Sequence, residues 1–198
     1  MHDHDHDSVL SPPLSVSRRR LLALAGVGTL GAVAGCLGDD DAPDPQGFTD
    51  EDACQACGMI VTQHPGPSGQ AFYDDHPDLE DGWAPFCSGT CTYGWTLEQG
   101  NAGYDPLVTY LTDYAIVDWE VADDGDLRFI SAHHDGDEQA DATALTMVAG
   151  SELRGSMGQD LIGFSDADEA EALQDEYGGE LVTDDEVTLE LIDSLGGM

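Results

Sequence analysis

The chain predicts a small α+β fold. Apolar runs of strand length are interleaved with helical patterns, without the long alternation of a doubly wound sheet. Its 198 residues allow one domain of ordinary size or two small repeated lobes that share a core. That core has material to draw on: 40% of residues are hydrophobic, and Trp83, Trp95 and Trp119 can anchor it.

The domain is expected to start near Phe48 and run to residue 198, with lobes at about 48–110 and 111–198. Met59-Ile60-Val61 and Ala71-Phe72-Tyr73 read as strands joined by a Pro/Gly turn over Pro65 to Gly69. Ser88 is a plausible N-cap for a helix running toward Gln99. A second set follows. Residues 114–119 and 127–130 are strand-like around an Asp/Gly turn at Asp123 to Asp126, and Thr146-Met147-Val148 and Leu161 to Phe164 add two more strands. Ser165-Asp166-Ala167-Asp168 opens a helical pattern through Ala170, Leu173 and Tyr177 that Gly178-Gly179 stops. Leu181-Val182 can return as a strand, and Thr183-Asp184-Asp185-Glu186 has the form of a capping box for a last helix carrying Val187, Leu191, Ile192 and Leu195.

Ahead of the domain stands an address. Arg18, Arg19 and Arg20 precede an uncharged run from Leu21 to Ala34, too short to span a bilayer comfortably, so residues 1–35 read as a twin-arginine signal peptide. Val33-Ala34-Gly35-Cys36 resembles a lipobox, which makes Cys36 the lipidated N-terminus of an exported protein anchored on the outer face of the cell membrane. Residues 36–47, rich in Asp, Pro and Gly, read as a flexible acidic tether. His2, His4 and His6 alternate with aspartates in a metal-binding pattern, but cleavage would discard them.

The charge is extreme: 41 acidic residues against 5 basic ones, net −36, with no lysine. Such a surface repels nucleic-acid phosphates, so no nucleic-acid partner is expected, and its self-repulsion is tolerable where salt screens it. A salt-adapted, halophilic protein is the reading. With so many carboxylates some pair always looks like an acid/base couple, and none is read as catalytic. GxSxG, HExxH, P-loop and dinucleotide patterns are absent from the sequence. His64 and His76 could add nitrogen ligands, although loop histidines are more often exposed, and His133 and His134 are expected to face water.

Chemistry concentrates on sulfur. Cys54 and Cys57 form a CxxC, and after 29 intervening residues Cys87 and Cys91 form a CxxxC. In an extended segment Cys57 and Met59 leave the same face, and on a helix Cys87 and Cys91 share one, with Cys87 at the positive N-terminus. Thiolate and thioether ligands suit Cu(I) first. Three other readings stay open: a structural Zn(II) site closed by all four cysteines, a pair of disulfides, and a thiol-disulfide oxidoreductase.

The segments Cys54 to Val61, Val148-Ala149-Gly150-Ser151 with Gly155-Ser156-Met157-Gly158, Ile162-Gly163-Phe164, and the helix from Ala167 to the Gly178-Gly179 stop are together similar to the NosL family. These are lipoproteins accessory to nitrous oxide reductase, and the resemblance covers roughly residues 52–187. It implies two related strand-strand-helix-strand lobes and a copper chaperone, not an enzyme, that holds Cu(I) outside the membrane and passes it to the reductase during denitrification. The family's Cys-Gly-Met maps onto Cys57 and Met59, and its Met-Gly onto Met157. Cys87 and Cys91 depart from the plainer family pattern. Phe86-Cys87-Ser88 with a cysteine four residues on is similar to TRASH-type metal-sensing modules, which implies a four-thiolate site beside or instead of the Cys57/Met59/Met157 one.

Overall fold

The computed structural model describes residues 42–196. The signal peptide, the His/Asp tract and Cys36 lie outside the described residues. Among those described, no helix is long and apolar enough to cross a membrane.

Two sheets carry the domain. The first has the order β2-β1-β3-β6, from β1 (Gly69–Phe72), β2 (Trp83–Phe86), β3 (Val108–Thr112) and β6 (Gln139–Asp141), all antiparallel. The second comprises β4 (Val121–Asp124), β5 (Leu127–Ile130), β7 (Thr146–Gly155), β8 (Gly158–Phe164) and β9 (Glu180–Thr183). In it β7 pairs antiparallel with β8 and β9, and parallel with β5 through Leu153 and Arg154. Helices α1 (Gly89–Ala102) and α2 (Ala167–Tyr177) follow β2 and β8, and a short α3 (Leu189–Ser194) closes the chain.

The mixed α+β class and the paired lobes are what the structure has. β1-β2-α1-β3 and β7-β8-α2-β9 repeat one plan, with the first strand of each unit central between the other two. Side-chain alternation explains how the units share a core. Met147, Ala149 and Leu161 meet Leu111 and Tyr93 of the first unit, while Val148, Ile162 and Phe164 on the opposite face pack against Ala170 and Leu173 of α2. Strands buried on both faces read as continuous apolar runs, as Leu161 to Phe164 does. Before Phe48 the chain is already bonded to the first sheet: Gln46 N–H donates to Gln70 Oε1 at 3.0 Å, and the Tyr110 hydroxyl donates to Pro43 O at 3.0 Å.

Several boundaries differ from expectation for local reasons. Residues 59–61 are not a strand. Cys54 N–H donates to Met59 O, Gly58 N–H donates back to Cys54 O, and Gly58 takes φ +76°, so the chain turns there and leaves one bridge, Ala53 to Ile60, before a 3-10 turn at Val61–Gln63. Residues 114–119 also turn: the Asp113 carboxylate accepts Ala115 N–H at 3.0 Å, and the hairpin strand begins instead at Val121. The capping box at Thr183 is real but closes a 3-10 turn, and α3 restarts at its own cap, Thr188. β2 and β3 had no counterpart in the sequence reading. β2 holds Pro85, which an edge strand tolerates because no ladder bond is lost.

Candidate metal centre

The edge strand positions the site. Gln55 N–H donates to Pro85 O at 2.8 Å, which docks the 54–59 turn onto β2, and β2 runs directly into Cys87 and the cap of α1. Ser88 Oγ accepts Cys91 N–H at 2.9 Å as the N-cap, as its residue type foretold. The second unit grips the same turn. Asp160 Oδ1 accepts Thr90 N–H at 2.9 Å, Ser156 Oγ donates to Cys87 O at 2.6 Å, and Gly89 allows the close approach because a Cβ there would lie 2.8 Å from Leu161 O.

These contacts bring Cys54, Cys57, Cys87 and Cys91 together, with all four sulfurs within 4.8 Å of one another. Cys87 Sγ lies 3.5 Å from Cys57 Sγ and 3.9 Å from Cys91 Sγ, and all four are free thiols, not disulfides. Cys54, Cys87 and Cys91 are each 2% exposed, and Cys57 is the least buried. Met59 and Met157, partly buried, pack against the cluster that holds the thiols. Cys57 and Met59 therefore reach one region through a turn rather than along a shared strand face.

The buried thiols compete for charge. Cys54 is pulled down to about 2, first by the Cys87 thiol and then by Cys91 donating to its sulfur. Cys87 is pushed up to about 12 and Cys91 higher still, each chiefly because the Cys54 thiolate is the better acceptor. Contact among the buried thiols thus favours ionisation at Cys54 over Cys87 and Cys91, and a soft cation can take the place of the protons they share. Asp160, wholly buried beside the first turn of α1, is raised to about 7 by desolvation, which outweighs the amides that bond it, and its Oδ2 has no partner.

The histidines lie elsewhere. His76 is 4% exposed, its Nε2 3.0 Å from Gln99 Oε1 and its ring against Tyr73, Trp95 and Tyr104, so it is a core residue rather than a surface one. His133 is also not free in water: it bonds Ser131 and Glu138, and burial lowers the neighbouring His134. His64 is part-buried and lies outside the thiol cluster. A groove of about 640 Å³ along α1, lined by Thr96, Leu107, Asp141 and Thr188, holds none of the sulfur residues. The sequence reading missed Asp160 and Ser156, whose roles depend on contacts some 70 residues apart in the chain.

A family model, NosL, matches residues 45–192, about three quarters of the chain. The chain belongs to the NosL family. It is 33% identical over 182 residues to the copper-binding lipoprotein NosL of Stutzerimonas stutzeri, which covers 87% of this chain and 86% of that protein. The crystal structure of the copper chaperone NosL from Shewanella denitrificans superposes with a TM-score of 0.62 at 25% identity, covering 75% of this chain and 99% of that one. Both relatives are named for copper, and neither as an enzyme.

Proposed function

We propose that this NosL-family chain is a Cu(I) metallochaperone, anchored outside the cell membrane through a lipid on Cys36, that delivers copper to nitrous oxide reductase. The observation that carries the copper reading is the convergence of four free thiols within 4.8 Å, three buried and Cys57 toward the outside. Soft sulfur ligands suit Cu(I), copper is the metal for which the relatives are named, and the less buried Cys57 offers an acceptor protein a place to begin ligand exchange. Met59 and Met157, which pack against the same cluster, are the candidate thioether ligands, of a kind that would bind and release readily. The relatives' copper-chaperone and lipoprotein names support the role and the anchor.

Anaerobic Cu(I) titration of the reduced chain, followed by X-ray absorption at the copper edge, tests the site. An all-sulfur shell and weakened binding in Cys57→Ser are expected. If zinc removal unfolded the protein and Cys57→Ser kept full Cu(I) affinity, the structural zinc reading, with all four cysteines closing the shell, would replace this one. Delivery is tested by mixing copper-loaded chain with copper-free nitrous oxide reductase and measuring recovered activity, which a non-transferring storage protein would not restore.

A further inference from the structure

We infer that the thiol pocket takes two cuprous ions as a thiolate-bridged pair, with Cys87 as the shared ligand. The inference rests on the Cu(I) reading above and concerns how much metal the site carries. Cys87 is the hub of the sulfur set: it lies 3.5 Å from Cys57 on the outer side and 3.9 Å from Cys91 on the inner side, with Cys54 Sγ within 4.8 Å of it. The Cys57–Cys87 and Cys87–Cys91 edges are each short enough for one ion to bind both ends, since a metal–sulfur bond of about 2.3 Å lets a single ion span at most about 4.6 Å.

Charge favours the pair. Binding at four cysteines displaces their thiol protons to solvent, so one cuprous ion on four thiolates leaves three uncompensated negative charges in a pocket where three of the sulfurs are 2% exposed. Two cuprous ions leave two, and buried charge without a partner is costly. Among the described residues, neither arginine lines the thiol pocket. Lysine is absent, and Arg128 and Arg154, the domain's two arginines, line a separate depression with Asp126, Glu152 and Gln159. Asp160, buried against the adjoining helix turn, is itself acidic. No redox step is involved: copper enters and leaves as Cu(I), and only protons exchange.

Anaerobic titration of the reduced full-length chain with Cu(I) alone, against a calibrated Cu(I) chelator, reads the stoichiometry, and X-ray absorption reads copper–copper scattering. Saturation at two equivalents with a copper–copper distance in the spectrum is expected, and Cys91→Ser is expected to halve the uptake and lose that scattering while still binding the first ion. Saturation of the native chain at one equivalent overturns the inference and leaves the chaperone reading standing, whereas no uptake overturns both. The native titration decides the matter by itself if Cys91→Ser fails to fold.

Discussion

The two strand-strand-helix-strand units of this protein run in parallel up to the first residue of chemistry. In each, the second strand ends on a buried phenylalanine, Phe86 or Phe164, and two residues later an N-cap opens the helix, Ser88 or Asp166. Between them stands Cys87 in one unit and Ser165 in the other. The helices then diverge. α1 carries Cys91 and buries Gly89 through Thr96, with Glu98 as its only acid, whereas α2 buries little beyond Ala170 and Leu173 and carries Asp168, Glu169, Glu171, Asp175 and Glu176. One plan therefore supplies a buried helix N-terminus lined with sulfur and a solvated helix that covers a sheet. The docked 54–59 turn completes the difference, adding two thiols at the first unit's edge strand.

Making the units alike is the sharpest test. Cys87→Ser gives the first unit the residue of the second and removes the hub of the cluster; Cu(I) affinity is expected to fall more than about 100-fold, beyond what loss of an outer-shell partner costs. The reciprocal Ser165→Cys is expected to leave Cu(I) binding unchanged, because no other sulfur packs in the apolar cluster under α2. Chelator competition reads both. Copper retained by the first variant would show that the hub is dispensable.

Both units also place a buried aspartate beside the helix start, and the pair differs in satisfaction. Asp113 Oδ1 accepts Ala115 and Ser165 N–H, while Asp160 reaches across from the second unit to Thr90 and leaves Oδ2 without a partner. Because the folded Asp160 titrates near 7, above its unfolded value, the folded state binds the extra proton between about pH 4 and 7, so stability falls as pH rises through that window. Asp160→Asn keeps an acceptor for Thr90 and carries no charge. Its denaturant midpoint is expected to lose that slope, with a gain over the native chain approaching about 4 kcal/mol by pH 8 as an upper bound. Equal slopes in the two proteins would show that Asp160 does not titrate in the folded state.

How much of this could be read beforehand follows the range of the interactions. Local signals worked: the Ser88 cap, the Gly178-Gly179 stop and the Asp/Gly hairpin turn each act within a few residues and appear as expected. The CxxC and CxxxC spacings named all four thiols that converge. What failed was whatever distant contacts or backbone turns decide. Ile60-Val61 has strand composition, yet the left-handed Gly58 and the bond of Cys54 to Met59 turn it away, and Tyr114 is claimed by its hydroxyl bond to Ser131 O rather than by a strand. His76 looked like a loop residue because the aromatic wall that buries it comes from residues 73, 95 and 104.

The charge difference between the helices predicts where the protein loosens first. Screening reaches about 3 Å at 1 M salt and about 10 Å at 0.1 M, so dilution lengthens the range of repulsion in a chain of net charge −36. Hydrogen exchange at decreasing salt should expose α2 amides before those of α1, whose exchange is expected to rise only with global unfolding. Simultaneous loss in both helices would mean that the whole domain, not the acidic helix, answers to salt.

The smallest effect tests where the units meet. Met157 sits at the β7–β8 turn of the second unit yet packs against the first unit's apolar cluster, which contains the buried thiols, held there as Ser156 bonds Cys87 O and Asp160 bonds Thr90. Leucine fills a similar volume, so Met157→Leu should change stability by less than about 1.5 kcal/mol. As a rim thioether Met157 would contribute less than a thiolate, and its loss should weaken Cu(I) binding only several-fold while removing one sulfur from the X-ray absorption shell. An unchanged shell with unchanged affinity would confine the metal to the first unit, leaving the second to grip the cysteine turn from outside.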